Sequence, residues 1–122
     1  MSFFEAVASG LSKYAHFEGR ASRAEYWWFV LFVILTSILL NQLVMSFLGV
    51  DAASVVSGIF TLAMLLPTIA VAARRLHDMN HSGWWQLLGL TGIGSVVLFI
   101  WYLFPGTPTN NRFGAPVVVT QD

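Results

Sequence analysis

Arg74-Arg75-Leu76-His77-Asp78-Met79-Asn80-His81 concentrates the titratable side chains of a chain that has few of them. His77 and His81 are four residues apart, a spacing at which two imidazoles on one helix can grip a single metal ion. A catalytic zinc needs a third protein ligand and an open position, for which His16 and Asp78 are the candidates. Asp78 is one methylene shorter than the glutamate of the metalloprotease helix motif, and it adjoins two arginines. A second chemistry uses the same stretch. Arg20, Arg23, Glu25, Arg74, Arg75 and Asp78, joined by Arg112 if the chain returns to the same side, form an ion-pair or headgroup cluster. Glu25 with Arg75, or Asp78 with Arg20, would clamp one segment to another, and such pairs gain strength where dielectric screening falls. A small surplus of base over acid is left to hold an anionic lipid headgroup, worth about 1 kcal/mol per base near a membrane surface. The arginine fork suits bidentate contact with phosphate.

Other chemistries lack their residues. The 122-residue chain has no cysteine, which excludes a disulfide framework, a thiolate zinc site and a cysteine nucleophile. No Ser-His-Asp arrangement, phosphate-cradling glycine loop or paired-carboxylate site is present, so no catalytic residue and no cofactor is assigned. Net charge is zero and no basic face is left unneutralised, which argues against a nucleic-acid partner. The composition is 57% hydrophobic and 10% charged, and a chain of this kind could not cover its apolar surface in water.

The elements that must position the cluster are apolar. Three charge-free runs predict an all-α integral membrane protein: an N-terminal interfacial amphipathic helix, two transmembrane helices and a third, glycine-broken membrane segment. About 20 helical residues cross a hydrocarbon core of roughly 30 Å, and residues 23–48 and 52–73 are long enough to span. Before them, residues 3–14 repeat Phe3, Phe4, Val7, Leu11 and Tyr14 at helical spacing, after a Ser2-x-x-Glu5 capping box. Ser22 and Glu25 form a second capping box at the start of the first span. Pro67 lacks an amide donor and predicts a kink near the basic end of the second span.

Residues 74–83 read as a motif loop, which becomes helical if the second span continues past Ala73. In that case Arg74, His77, Asp78 and His81 share one face. Residues 84–104 are the third apolar run, with Gly89, Gly92, Gly94 and Ser95 in its middle. Glycine in a helix interior costs about 1 kcal/mol relative to alanine, so two half-helices around Thr91–Ser95 are expected, either spanning or dipping in and returning. Residues 105–122 form a turn-rich C-terminal tail. Tyr26, Trp27, Trp28, Trp84, Trp85, Trp101 and Tyr102 are the aromatics expected at the membrane interface.

Lys13, Arg20, Arg23, Arg74 and Arg75 fall on one side of the first two spans, and the opposite connection at Asp51 carries no base. Positive charge stays inside, so the N-terminus and residues 74–83 are expected in the cytoplasm. Arg112 lies outside if the third segment spans and inside if it re-enters. The charge rule and the glycine break favour re-entry.

Three blocks in this order resemble the YhaH/YhaI-like family of small bacterial inner-membrane proteins, a domain-of-unknown-function family. They are Gly19-Arg20-Ala21-Ser22-Arg23-Ala24-Glu25-Tyr26-Trp27, then Arg74-Arg75-Leu76-His77-Asp78 with Ser82-Gly83-Trp84-Trp85, then Pro105-Gly106-Thr107 with Asn111-Arg112-Phe113-Gly114. The resemblance covers most of the chain and implies a multi-pass protein of the bacterial inner (plasma) membrane. It brings no established activity and no catalytic residue. The function expected is non-enzymatic: a scaffold, or a module that meets membrane lipids, another membrane protein or further copies of itself. The alternatives are a subunit of an oligomeric transporter or pore, and a membrane metalloenzyme using His77 and His81.

Overall fold

The computed structural model describes residues 2–114 as four α-helices and one 3-10 segment. Helix α1 is Phe3–Ser12, α2 is Arg23–Leu48, α3 is Val50–Asp78 and α4 is Gly92–Leu103; the 3-10 segment, Gly83–Leu90, precedes α4. The tail expected beyond residue 114 lies outside the described residues.

Helix α1 starts at the expected capping box, with Ser2 and Glu5 exchanging side-chain and backbone bonds. Hydrogen bonding to the side chain and then the backbone of Ser2 holds the Glu5 carboxyl below its ordinary value. The helix ends at Ser12, not 14. Its inner face packs antiparallel to the start of α2: Phe3 meets Trp28 and Phe32, while Ser9 meets Glu25. The rim aromatics therefore fix α1 to the bundle as well as facing lipid.

Helices α2 and α3 form an apolar hairpin. Gly49 alone joins them, and its φ of 92° is one that a side chain rarely tolerates. Asn41 Oδ1 accepts the Ser57 hydroxyl across the hairpin at 3.1 Å, so the amide expected near the end of the first span finds a helix partner. Ile38, Leu39, Ile59 and Leu62 are more than half exposed, and an apolar face of this kind suits contact with lipid.

Helix α3 passes through Pro67 without ending. Proline removes the donor that would reach the carbonyl of Ala63 four residues earlier. The Tyr14 hydroxyl, from the segment after α1, donates to that carbonyl instead. The helix also runs five residues past the expected boundary at Ala73, because the carbonyls of its last turn find partners elsewhere. Arg74 O accepts the Ala21 amide at 2.9 Å, and Asp78 O accepts the Thr107 amide at 2.7 Å. Arg74 to Asp78 are therefore helical, not part of a loop.

The third apolar run is a hairpin with a break at Thr91, whose side chain caps α4 by accepting from the Gly94 amide. The expected first half-helix is a 3-10 segment. Its course follows from its contacts. Gly83 lies against Ala73 and His77, and the Gln86 side chain donates to Ile69 O, so this limb descends antiparallel to α3. Helix α4 then returns along α2: Phe99 packs on Trp27, Tyr102 on Tyr26, and the Leu103 carbonyl accepts from Arg23. Both ends of the run lie at one end of α3. A helix crossing a bilayer would separate them by roughly 30 Å.

Candidate functional site

Five segments converge at that end. Helix α3 contributes Arg74, Arg75 and Asp78; α2 contributes Glu25; the connection between α1 and α2 contributes Arg20. The Asp78 carboxylate accepts Arg20 Nε on Oδ1 at 2.8 Å and Arg75 Nη1 on Oδ2 at 2.5 Å. Arg74 Nη1 pairs with Glu25 Oε2 at 2.5 Å, and the same oxygen accepts the Ser9 hydroxyl at 3.1 Å. The pairing expected of Glu25 with Arg75 is therefore Glu25 with Arg74, because Arg75 turns toward Asp78 three residues on. Arg20, Glu25, Arg74, Arg75 and Asp78 are all buried.

Glu25 also departs from its expected cap role. Ser22 accepts the Glu25 amide, as a capping box requires. The Glu25 side chain reaches Arg74 instead of returning to the cap, since a buried guanidinium is the stronger partner for a carboxylate.

The guanidinium groups not spent on carboxylates gather carbonyls. Arg20 reaches Thr109 O and Gly114 O through Nη1, and Thr107 O and Asp78 O through Nη2. Arg75 reaches Ala21 O and Phe104 O, and Arg74 Nε reaches His16 O at 3.2 Å. Residues 105–114 are thereby folded onto the node. Gly106 permits this, because a Cβ there would overlap the Asp78 carboxylate. Arg74 Nη2 and Arg75 Nε are buried without a partner among the described residues. Among the described residues the buried charges are three cations against two anions.

The other expected site residues lie around this node. Arg23 is exposed and donates to Leu103 O at 3.3 Å. Arg112 is exposed as well; it donates to Asn80 O and lies over the Phe113 ring, so it borders the node without entering it. His77 and His81 do not share a helical face. Helix α3 ends at Asp78, and Asn80, at a φ of 61°, turns the chain between the two rings. His77 stacks on Phe113 at 3.9 Å and bonds Gly19 O through Nδ1, whereas His81 stacks on Trp101 at 4.6 Å. Asp78, the candidate third ligand, has both oxygens occupied by arginine. Among the described residues no three His, Cys, Asp or Glu side chains lie close enough to hold an ion.

The aromatics divide. Trp84 is 79% exposed, and Trp28 and Trp85 are partly so. Tyr26, Trp27 and Tyr102 are instead the mortar between α2 and α4, with Trp27 Nε1 donating to Tyr102 O at 3.0 Å. Trp101 lies between His81 and Trp85. The sequence pointed to no site role for Ser9, Tyr14, Gly106, Thr107 or Asn111, the last of which donates to His77 O. Gly106, Thr107 and Asn111 do fall inside the three blocks, which is the signal that could have found them.

Comparison with known proteins places this arrangement. The family described as "Protein of unknown function (DUF805)" matches residues 14–115, which takes in every residue of the node except Ser9. Inner membrane protein YhaI of Escherichia coli K12 is 39% identical over 107 residues, covering 87% of this chain and 89% of that protein. Inner membrane protein YhaH of the same strain is 37% identical over 107 residues, covering 85% and 88%. No solved structure matches the chain. With two helices long and apolar enough to cross a bilayer, the chain is an integral membrane protein, and it belongs to the DUF805 family of inner-membrane proteins of unknown function.

Proposed function

We propose that the protein is a non-enzymatic scaffold of the bacterial inner membrane whose ion-pair node locks a cytoplasmic platform for anionic lipid headgroups and membrane partners. The observation that carries this reading is the division of the basic residues. Arg20, Arg74 and Arg75 are buried and committed to Asp78, Glu25 and backbone carbonyls, whereas Lys13, Arg23 and Arg112 stay exposed on the same end of the bundle. The buried set holds shape; the exposed set is free to meet phosphate. Neither set includes an uncommitted carboxylate or a nucleophile poised beside a base.

In this reading α2 and α3 each span, the third run re-enters, and both termini face the cytoplasm. The basic end is the inside end by the positive-inside rule. A green fluorescent protein fused to the C-terminus fluoresces, and an alkaline phosphatase fused there is inactive. Active phosphatase would put the C-terminus outside and remove Arg112 from the platform.

The platform itself is tested by lipid. Added phosphatidylglycerol raises the thermal midpoint of the purified protein in neutral detergent more than phosphatidylcholine does. The Arg23→Ala/Arg112→Ala variant loses most of that difference, at about 1 kcal/mol per base. Equal shifts from the two lipids in the unmodified protein would overturn the headgroup role. The pore reading has less support: the large exposed residues at the hairpin break, Leu90 and Ile93, are apolar, and the exposed Thr91 and Ser95 hydroxyls donate to the carbonyls of Leu88, Gly89 and Thr91.

A further inference from the structure

A cavity of about 490 Å³ opens between α3 and the descending 3-10 limb, within the roughly 300–1,000 Å³ range of small-molecule sites. Phe17, Ile69, Ala73, Trp84, Leu87 and Leu90 are its apolar walls. The polar lining is His77, Ser82 and Gln86, with no lysine, arginine, aspartate or glutamate. Gln86 spends one of its two amide N–H donors on Ile69 O, and Ser82 Oγ accepts the Trp84 amide.

His77 is held so that one ring atom is left to the cavity. Its Nδ1 lies 2.9 Å from Gly19 O, and a carbonyl only accepts, so Nδ1 carries the hydrogen. In the neutral ring Nε2 is then a lone pair, and it has no protein partner among the described residues. Stacking on Phe113, with 5° between the planes, fixes the ring. Nε2 points toward the Gly83 wall, where a Cβ would sit 3.5 Å from it.

Polarity runs in one direction along this cavity. His77 and Ser82 stand at the end of the bundle that carries the charges, and Ile69 lies eight residues back along α3, about 12 Å deeper at 1.5 Å per residue. Leu90 closes the limb before the break at Thr91. An acceptor at the mouth, apolar walls below and no charge describe the complement of a neutral amphiphile with a donor on its head. An anionic headgroup would find no cation here.

We propose that this cavity binds a neutral membrane lipid with a free hydroxyl, which donates its hydrogen to His77 Nε2 while its chain lies along Ile69, Leu87 and Leu90. The site uses none of the exposed arginines of the platform, so it stands whether or not they meet phosphate.

The probe is 11-bromo-1-undecanol, whose bromine quenches tryptophan fluorescence, added to the full-length protein in detergent. The matched control is its methyl ether, equal in chain but without the donor. Saturable quenching by the alcohol is expected, with the ether about tenfold weaker, the worth of one hydrogen bond. Trp84→Phe reduces the quenched amplitude, since that indole lines the cavity. His77→Asn keeps an N–H in place of Nδ1 for Gly19 O and deletes Nε2. It weakens the alcohol about tenfold and leaves the ether unchanged. Equal, unsaturable quenching by alcohol and ether would overturn the site and show partitioning into the detergent alone. The alcohol–ether comparison on the unmodified protein decides the matter even if His77→Asn does not fold.

Discussion

Asp78→Ala yields protein that elutes aggregated from detergent, or that unfolds at a much lower temperature than the unmodified chain. The carboxylate is the common acceptor of Arg20 and Arg75, which are themselves 6% and 0% exposed. Its removal leaves two guanidinium groups buried beside one another without a counter-charge. Breaking one partner out of a buried pair costs about 3–5 kcal/mol. Total stabilities are roughly 5–15 kcal/mol, so the loss is a large share of the whole. The damage also spreads. Arg20 holds the carbonyls of Thr107, Thr109 and Gly114, and a guanidinium freed from Asp78 no longer positions that loop. Asp78→Asn, which keeps the volume and loses the charge, is expected to fall between Asp78→Ala and the unmodified protein. An unchanged melting midpoint in Asp78→Ala would show that the node does not hold the fold.

The second large effect is at Glu25, and it separates charge balance from shape. Glu25→Ala removes the counter-charge of Arg74, a side chain only 1% exposed, and a loss of about 3–5 kcal/mol is again expected. Here a compensated variant is informative. In Glu25→Leu/Arg74→Met no charge is left unpaired, and replacing a buried ion pair with apolar groups of similar volume is often neutral or stabilising. The double variant is therefore expected to recover most of the thermal midpoint lost by Glu25→Ala. The interaction energy of the cycle is read from Glu25→Leu, Arg74→Met and the double variant. A double variant as unstable as Glu25→Ala would mean that the bonds of Arg74 to His16 O and of Ser9 to Glu25 matter more than the charges.

What the sequence determined is what short-range chemistry controls. Charge-free runs of spanning length mark α2 and α3 because lipid, unlike water, accepts an apolar face all round. The Ser2–Glu5 cap is local, so it was legible, and so was the start of α2 after Ser22. Thr91 and its neighbouring glycines marked the break in the third run, because helix propensity is a property of the residues themselves. Arg20, Glu25, Arg74, Arg75 and Asp78 were legible as pairing candidates, since a chain with so few charges must pair those it buries, whereas Arg23 and Arg112, expected with them, stand exposed outside the node.

Tertiary structure decided how they pair. Whether Arg74 or Arg75 takes Glu25 depends on the rotation of α3 against α2, which no local rule fixes. The length of α3 was decided by Ala21 and Thr107, which satisfy carbonyls that would otherwise have ended the helix near Ala73. Tyr14 and Ala63 illustrate the same point, since the Ala63 carbonyl that Pro67 leaves open is filled by a hydroxyl 49 residues away from Ala63 in sequence. His77 and His81 were parted by a single left-handed residue, Asn80, that helical spacing could not foresee. The return of the third run to the end of α3 where it starts was favoured by composition. Contacts of Gln86 with Ile69 and of Tyr102 with Tyr26 are what set its course, because a polar backbone in lipid goes where its neighbours meet it.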